Sequence, residues 1–348
     1  MAKRPHKVAL NGYGRIGRCV LRALHERGAA AGFEIVALND LADQASIEYL
    51  TRFDSTHGRF PGEVRVDGDC LHINGDCVKV LRQSEPEAVD WAGLGIDLLL
   101  ECSGVYHSRA DGERFLKAGA PRVLFSQPMA SEADVDATVV FGVNQQGLSG
   151  NEQLVSNASC TTNCAVPLLK LLNEAVGLEY VSITTIHSAM NDQPVIDAYH
   201  HEDLRRTRSA FQSVIPVSTG LARGIERLLP ELAGRVQAKA IRVPTVNVSC
   251  LDITLQTARD TSAEEINRVL LQAAEAGPLK GLLAYTELPH ASCDFNHDAH
   301  SAIVDGSQTR VSGPRLVNLL AWFDNEWGFA NRMLDVAEHF LAVANPSK

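Results

Sequence analysis

Long apolar runs are what this sequence most plainly lacks. Nothing in its 348 residues approaches the roughly 18 to 20 consecutive apolar positions of a membrane-spanning helix. At its start, MAKRPHKVALNGYGR, early positive charge is followed only by Val8-Ala9-Leu10 before Asn11 and Gly12. That stretch is too short for the core of a signal peptide. An excess of positive charge is also missing: 32 Lys plus Arg face 42 Asp plus Glu, a formal net charge of −10. A nucleic-acid or anionic-membrane partner would need the opposite balance, although a local basic pocket for a small phosphorylated ligand is compatible with it. Internal repeats and low-complexity linkers are absent as well. The eight cysteines are scattered through a chain with no secretory signal, so they are expected as reduced thiols of a cytoplasmic protein. What remains is ordinary for a globular chain, with 45% hydrophobic and 21% charged residues. At about 150 residues per domain, the length implies two domains.

The first 40 residues read as one βαβ unit. Lys7 to Leu10 forms a short strand and Asn11-Gly12-Tyr13-Gly14 a turn. Ile16, Val20, Leu21 and Leu24 then recur at helical spacing to about Gly28, before the second strand Phe33–Leu38. Further buried strands are expected at Ile96–Leu100 and Arg122–Phe125. Strands alternating with helices imply a doubly wound parallel sheet. Between them, Glu63–Val80 reads as hairpins with Asp67-Gly68 and Asn74-Gly75 as the turns. After about residue 155 the pattern changes. A helix entry at Ser156–Cys160 precedes long strands at Val181–His187, Val236–Val243, Val246–Leu255, Ser301–Val304 and Leu316–Phe323. Few helices intervene, which predicts a mostly antiparallel second domain of α+β type. Gly328–Val343 reads as a closing helix with Phe329, Met333, Val336 and Phe340 on one face.

Two motifs carry chemistry. Gly12-Tyr13-Gly14-Arg15-Ile16-Gly17 is a GxGxxG after a strand and before a helix. Glycines suit that position because the turn is tight and the backbone must approach a pyrophosphate seated on the helix N-terminus. Asp40 ends the second strand, where a carboxylate accepts bonds from ribose hydroxyls and repels a 2′-phosphate, favouring NAD over NADP. By itself Asp40 would read as a solvated acid, and the glycine pattern by itself as a turn. Their combination points to a dinucleotide. The second motif, Ser159-Cys160-Thr161-Thr162-Asn163-Cys164, puts Cys160 in the first turn of a helix. There the dipole and unpaired N–H groups are expected to lower a thiol pKa and to stabilise an oxyanion. Cys164, one turn deeper, reads as packing. His187, closing the strand Val181–His187, is the candidate base, although spacing alone does not place it beside Cys160.

NGYGRIGR (11–18), SNASCTTNC (156–164), TTIHSAMNDQ (184–193), DLRRTR (203–208), RVPTVNVS (242–249) and DNEWGFANR (324–332) together resemble the glyceraldehyde-3-phosphate dehydrogenases, in that family's order and over essentially the whole chain. The resemblance implies a Rossmann-type NAD-binding domain over 1–158, completed by the C-terminal helix at about 325–348, and a catalytic domain over 159–324. It implies Cys160 and His187 as catalytic residues. The cofactor site falls on Gly12, Tyr13, Gly14, Arg15, Ile16, Gly17, Asp40, Ser126 and Asn325. Substrate phosphate falls to Ser159, Thr161, Asp192, Arg206, Thr219, Gly220 and Arg242. NAD is the implied cofactor, and a homotetramer the implied assembly.

Departures from the glycolytic pattern narrow the expected substrate. Three residues after the histidine those enzymes usually carry threonine, whose hydroxyl helps bind the substrate phosphate; here it is Met190, which cannot donate that bond. Phe329 stands where they usually have tyrosine. HSAMNDQ, YTELP (285–289) and FNHDAHSAIVDG (295–306) look like the erythrose-4-phosphate dehydrogenase branch, which oxidises a longer aldose phosphate and hydrolyses its acyl-enzyme. That implies a small phosphorylated aldose as partner and a place in pyridoxal 5′-phosphate biosynthesis. The alternative within the family is a phosphorylating glyceraldehyde-3-phosphate dehydrogenase. Outside it, a cofactor-free cysteine hydrolase is disfavoured by Gly12–Gly17, and a non-catalytic NAD sensor would carry an unreactive Cys160. Cys293, His297 and His300 mimic metal-ligand spacing but lack a clear fourth ligand, so no metal site is assigned. Trp322, Phe323 and Trp327 read as core aromatics.

Overall fold

A computed structural model describes residues 5–28, 32–201 and 203–344. Two compact units emerge, Met1–Ser159 with Ala330–Lys348, and Cys160–Phe329.

The first unit starts with β1 (His6–Asn11), α1 (Arg15–Arg27), β2 (Phe33–Asn39) and α2 (Gln44–Arg52). Helix α1 buries Cys19, Val20, Leu21, Ala23 and Leu24, the face that the apolar spacing specifies. Asp43 caps α2 by accepting the Ser46 amide. A short ribbon, β3 (Phe53–Asp54) with β4 (Gly58–Arg59), leads to the hairpin strands β5 (Val64–Asp67), β6 (Cys70–Ile73) and β7 (Asp76–Leu81). Then follow β8 (Leu98–Glu101), α3 (Arg109–Lys117), β9 (Val123–Phe125), β10 (Ala137–Thr138) and β11 (Leu154–Ser156). One nine-stranded sheet runs β10-β11-β9-β8-β1-β2-β7-β6-β5. Every pair from β10 to β7 is parallel; only the hairpin pairs β6·β7 and β5·β6 at the far edge are antiparallel. Chain order reverses at β1, between β8 and β2. In open parallel sheets this is where a crevice forms beyond the strand C-termini. Trp91, Leu99, Phe115, Val123 and Phe125 belong to one buried core of this unit.

The hairpin overturns the expectation that every cysteine is reduced. Cys70 and Cys77 are joined by a disulfide. Pairing of His72 with Cys77 puts Cys70 diagonally across on the same face, with Cα atoms 5.3 Å apart. That distance lies within bridging range. Cysteine spacing carries no information about strand register, so the sequence offered no sign of it. The other six cysteines are free thiols.

The second unit opens with α4 (Cys160–Val176), followed by β12 (Leu178–His187), β13 (Ile215–Val217), α5 (Leu221–Leu228), β14 (Val236–Arg242) and β15 (Ser249–Thr257). After α6 (Ala263–Glu275) come β16 (Leu283–Thr286), β17 (Ala302–Asp305), β18 (Arg310–Ser312) and β19 (Leu316–Phe323). The sheet order is β13-β14-β12-β15-β19-β17-β16, with β18 also on β19. Five of its pairs are antiparallel and two, β12·β14 and β16·β17, parallel. The expected strand at Val246 begins three residues later, at Ser249; Val248 there takes φ 66°, outside the extended region. Helix α7 (Trp327–Ala344) closes the chain, with Phe329, Met333, Val336 and Phe340 all buried. No helix among the described residues is long and apolar enough to cross a membrane.

Candidate active site

In the first unit, Asn11, Gly12, Gly14, Asn39, Asp40, Cys102, Ser103 and Tyr106 are among the residues that line a cavity of about 430 Å³. The glycines are there for steric reasons. Gly12 has φ 89°, and a Cβ on it would fall on the backbone of Cys102 and Ser103. A Cβ on Gly17 would meet the Gly12 carbonyl, whereas one on Gly14 would meet nothing within 4 Å. The α1 entry is thus packed hard against the β8 turn on one side and open on the other. Such a bare backbone at a helix N-terminus fits a dinucleotide pyrophosphate.

Asp40 is no free acid. Its Oδ2 accepts the Tyr13 amide at 2.6 Å and its Oδ1 the Ala42 amide at 2.9 Å, so it ties the glycine turn to the end of β2. The remaining lone pairs are the ones a ribose could use. Tyr13 is buried, its hydroxyl 2.8 Å from Thr51 Oγ1, and burial pushes the phenol up to about 12. Arg15 is ion-paired with Asp54. Burial acts to raise the Asp54 carboxyl, but the Arg15 bond and charge together with the His57 and Thr56 amides outweigh it and hold that group far below the usual range. Arg15, Ile16, Gly17 and Ser126 do not line the cavity. Ser126, just past β9, donates its amide to Glu101 O at 2.9 Å.

In the second unit, Cys160 starts α4 and His187 ends β12, with Sγ and Nε2 3.8 Å apart. His187 Nδ1 lies 2.8 Å from Ser188 O. A carbonyl accepts only, so Nδ1 carries the proton and Nε2 presents its lone pair to the thiol. Parallel pairing of β12 with β14 puts Arg242 directly beside His187. Arg242 reaches Asp192 Oδ1 at 2.9 Å and Oδ2 at 3.2 Å, and Gln193 Oε1 at 3.0 Å. Arg206 joins the same Asp192 Oδ2 at 3.3 Å. Met190 Sδ sits 3.4 Å from Arg242 Nη2. Asp192 is an anion and cannot itself bind phosphate; it gathers the two arginines.

Burial opposes the lowering of the Cys160 thiol expected from its place at a helix start. Burial pushes the Cys160 thiol up to about 12, against the opposing pull of the Thr161 and Cys160 amides, with Asp324 and Glu326 adding to the rise. Cys160 as a residue is half-buried, and partial access of solvent to such a group weakens a rise caused by burial. Burial also lowers His187, and Arg242 lowers it further. Both shifts favour a neutral thiol beside a neutral imidazole. Desolvation of the sulfur acts against the help from the two helix-start amides and is the larger of these influences.

The sequence-predicted residues therefore form three groups. Gly12, Gly14 and Asp40 share the cavity; Cys160 meets His187; and Asp192, Arg206 and Arg242 interlock. Asn325 Oδ1 accepts from the Ser188 and Ser249 hydroxyls at 3.0 and 2.8 Å. Ser159 ends the first unit. Thr161 lies in the first turn of α4, and Thr219 and Gly220 precede α5, with Thr219 Oγ1 accepting the Leu221 amide at 3.2 Å. Just before α4, Ala158 takes φ 55°, a left-handed turn that costs a non-glycine residue energy and is found at functional sites. Cys293, His297 and His300 do not bring ligand atoms together among the described residues; His300 pairs with Asp298 and His297 stacks on Trp327. Phe323 and Trp327 are buried as expected. Sequence reading missed Asn11, Asn39 and Glu101, for which the only signal was an acid ending an apolar strand.

Comparison with known families returns two matches. Residues 6–109 match glyceraldehyde 3-phosphate dehydrogenase, NAD binding domain. Residues 159–325 match glyceraldehyde 3-phosphate dehydrogenase, C-terminal domain.

Proposed function

The chain belongs to the glyceraldehyde-3-phosphate dehydrogenase family and is an NAD-dependent dehydrogenase; from that premise we propose that it oxidises D-erythrose 4-phosphate to 4-phosphoerythronate. The observation that carries the choice of substrate is Met190, a thioether 3.4 Å from Arg242 where glycolytic members usually offer a hydroxyl to a short substrate's phosphate.

In this reading Cys160 Sγ attacks the aldehyde carbon while its proton passes to His187 Nε2, 3.8 Å away. The Cys160 and Thr161 amides at the start of α4 face the developing oxyanion, which His187 reprotonates to give a hemithioacetal. His187 then takes the hydroxyl proton back as C1 is oxidised to a thioester. Bound NAD supplies the acceptor for the hydride that leaves C1. His187, neutral again once its proton is lost to solvent, draws a proton from water, and hydroxide displaces the Cys160 thiolate, which takes that proton back. The acid leaves and the thiol is restored. Arg206 and Arg242, gathered by Asp192, offer positive charge to the substrate phosphate.

The same reading takes residues 1–158 with about 325–348 as the NAD domain and 159–324 as the catalytic one. It also takes the protein as a cytoplasmic homotetramer serving pyridoxal 5′-phosphate biosynthesis. The test follows NADH formation with each aldehyde, with and without inorganic phosphate. We expect the larger kcat/KM for the four-carbon aldehyde and no phosphate requirement. Phosphate-dependent turnover of glyceraldehyde 3-phosphate alone would replace this reading with the glycolytic one.

A further inference from the structure

We infer that Glu101 is a positioning residue for NAD: as a buried carboxylate it holds the Ser103 turn against the Gly12 turn, and cofactor binding requires that anionic form. Glu101 ends β8 at the reversal of strand order and is fully buried. Its two oxygens are committed. Oε1 accepts the Ser103 amide at 2.7 Å and also the Ser103 hydroxyl. Oε2 accepts the Asn11 side-chain amide. No Lys, Arg or His pairs with it among the described residues.

The protonation state follows from the bonds. At one end the Gln83 backbone amide donates to Asn39 Oδ1 at 2.8 Å, and a backbone N–H cannot reverse its role. Asn39 therefore presents Nδ2, which donates to Asn11 Oδ1 at 2.8 Å and to Gln83 O at 2.9 Å. Asn11 must then turn its own Nδ2 toward Glu101. At the other end the Ser103 amide is again a fixed donor, and the Ser103 hydroxyl accepts the Val105 amide at 3.2 Å while donating to Glu101. The Asn11 amide and the Ser103 backbone N–H are fixed donors, so a proton on Oε2 meets another hydrogen and breaks a bond, and a proton on Oε1 crowds the Ser103 N–H and forces the Ser103 hydroxyl to turn from donor to acceptor.

Those bonds hold the cavity walls. Asn11, Asn39 and Ser103 line it, and a Cβ on Gly12 would fall on the Ser103 backbone. Losing the Glu101 bonds frees the Ser103 turn on one side of the crevice and Asn11, next to Gly12, on the other. Burial pushes the Glu101 carboxyl up to about 7, while the Ser103 and Asn11 bonds pull it down. The other titratable groups facing it are the Cys102 thiol and the Tyr106 phenol, both raised by burial and by Glu101 itself and hence neutral near pH 7. From β1 it meets the neutral Asn11, and β9 pairs the apolar Phe125 beside it. Asp40 is the remaining ionisable group in the cavity.

The sign follows from linkage. Binding selects the carboxylate, so NAD affinity is full above the Glu101 pKa and falls as pH drops through it. For one proton on a group near pH 7, the dissociation constant should be about tenfold larger at pH 6 than at pH 8. NAD has no group of its own titrating in that window. The test is calorimetric titration of the purified protein with NAD from pH 6 to 8, without substrate. Glu101→Gln should bind more weakly and lose the pH dependence, because an amide cannot accept at both ends. Ser103→Ala removes one donor and keeps the backbone amide, so the transition should move to higher pH. In the ligand-free protein an infrared band of protonated carboxyl should appear between pH 8 and 6 and be absent from Glu101→Gln. A flat wild-type profile overturns the inference. So does tighter binding on acidification, which would mean that the carboxylate only repels the pyrophosphate, and so does the same pH dependence in Glu101→Gln. If circular dichroism shows Glu101→Gln unfolded, the Ser103→Ala profile decides, and an unmoved transition there refutes it.

Discussion

Replacing Met190 by threonine tests the proposed substrate discrimination at a single side chain. The thioether lies against Arg242 Nη2 at 3.4 Å, but Arg242 is also held by Asp192 at 2.9 Å and Gln193 at 3.0 Å, so the guanidinium stays in place when Met190 is cut back. Threonine Oγ1 branches directly from Cβ, one bond short of the Sδ position. It therefore does not recreate the Arg242 contact; it adds a donor that a substrate phosphate can use. A hydrogen bond to a charged group is worth about 1.5–3 kcal/mol. Met190 is 46% exposed, so water competes and the lower end applies. Met190→Thr should raise kcat/KM for glyceraldehyde 3-phosphate by about 1.5 kcal/mol, roughly tenfold. Activity on erythrose 4-phosphate should change less or fall, since its extra carbon carries the phosphate past this position. Stability should move within about 0.5 kcal/mol, as for a surface substitution. Initial rates with both aldehydes at saturating NAD, with a melting curve as control, give the answer. A folded variant that is active on the four-carbon aldehyde yet gains less than twofold on the three-carbon one would show Met190 to be packing for Arg242.

Cys160→Ala should abolish NADH formation and leave NAD binding by calorimetry nearly unchanged, because the cavity glycines and Asp40 lie in the other unit; appreciable residual turnover would remove Cys160 from the chemistry. Asp40→Ser should weaken NAD by about 1–3 kcal/mol and narrow its advantage over NADP. Asp40→Asn keeps an acceptor for the Tyr13 amide and should cost less while relaxing the same discrimination, and an unchanged NAD/NADP ratio in both would confine Asp40 to tying the turn. A thiol raised toward about 12 beside a lowered imidazole predicts that iodoacetamide labelling of Cys160 in the ligand-free protein accelerates continuously from pH 6 to 9. A plateau reached by pH 7 would instead mean a preformed thiolate–imidazolium pair.

Much of this architecture is legible in local sequence because local chemistry dictates it. Gly12 and Gly17 mark places where any Cβ would strike backbone, and glycine is the only answer there. The apolar spacing of Val20, Leu21 and Leu24 names the buried face of α1, and Leu316–Phe323 alternates as the strand it forms. Register is different, since it depends on partners distant in the chain. Arg242 flanks His187 only because β12 and β14 pair in parallel, and Cys70 reaches Cys77 only through the hairpin offset. The Asn11–Glu101 bond spans 90 residues and joins side chains that look unremarkable in their own strands. Cys160 shows a third kind of limit. Its place at a helix start was readable, but the burial that pushes its thiol up comes from packing no local motif records.

Following phosphorus by nuclear magnetic resonance, while the enzyme oxidises erythrose 4-phosphate with NAD in the presence of inorganic phosphate, tests the central claim most directly. A Cys160 thioester that water hydrolyses yields one phosphomonoester acid and consumes no inorganic phosphate per NADH formed. An acyl phosphate signal growing as inorganic phosphate disappears, one for each NADH, would contradict it.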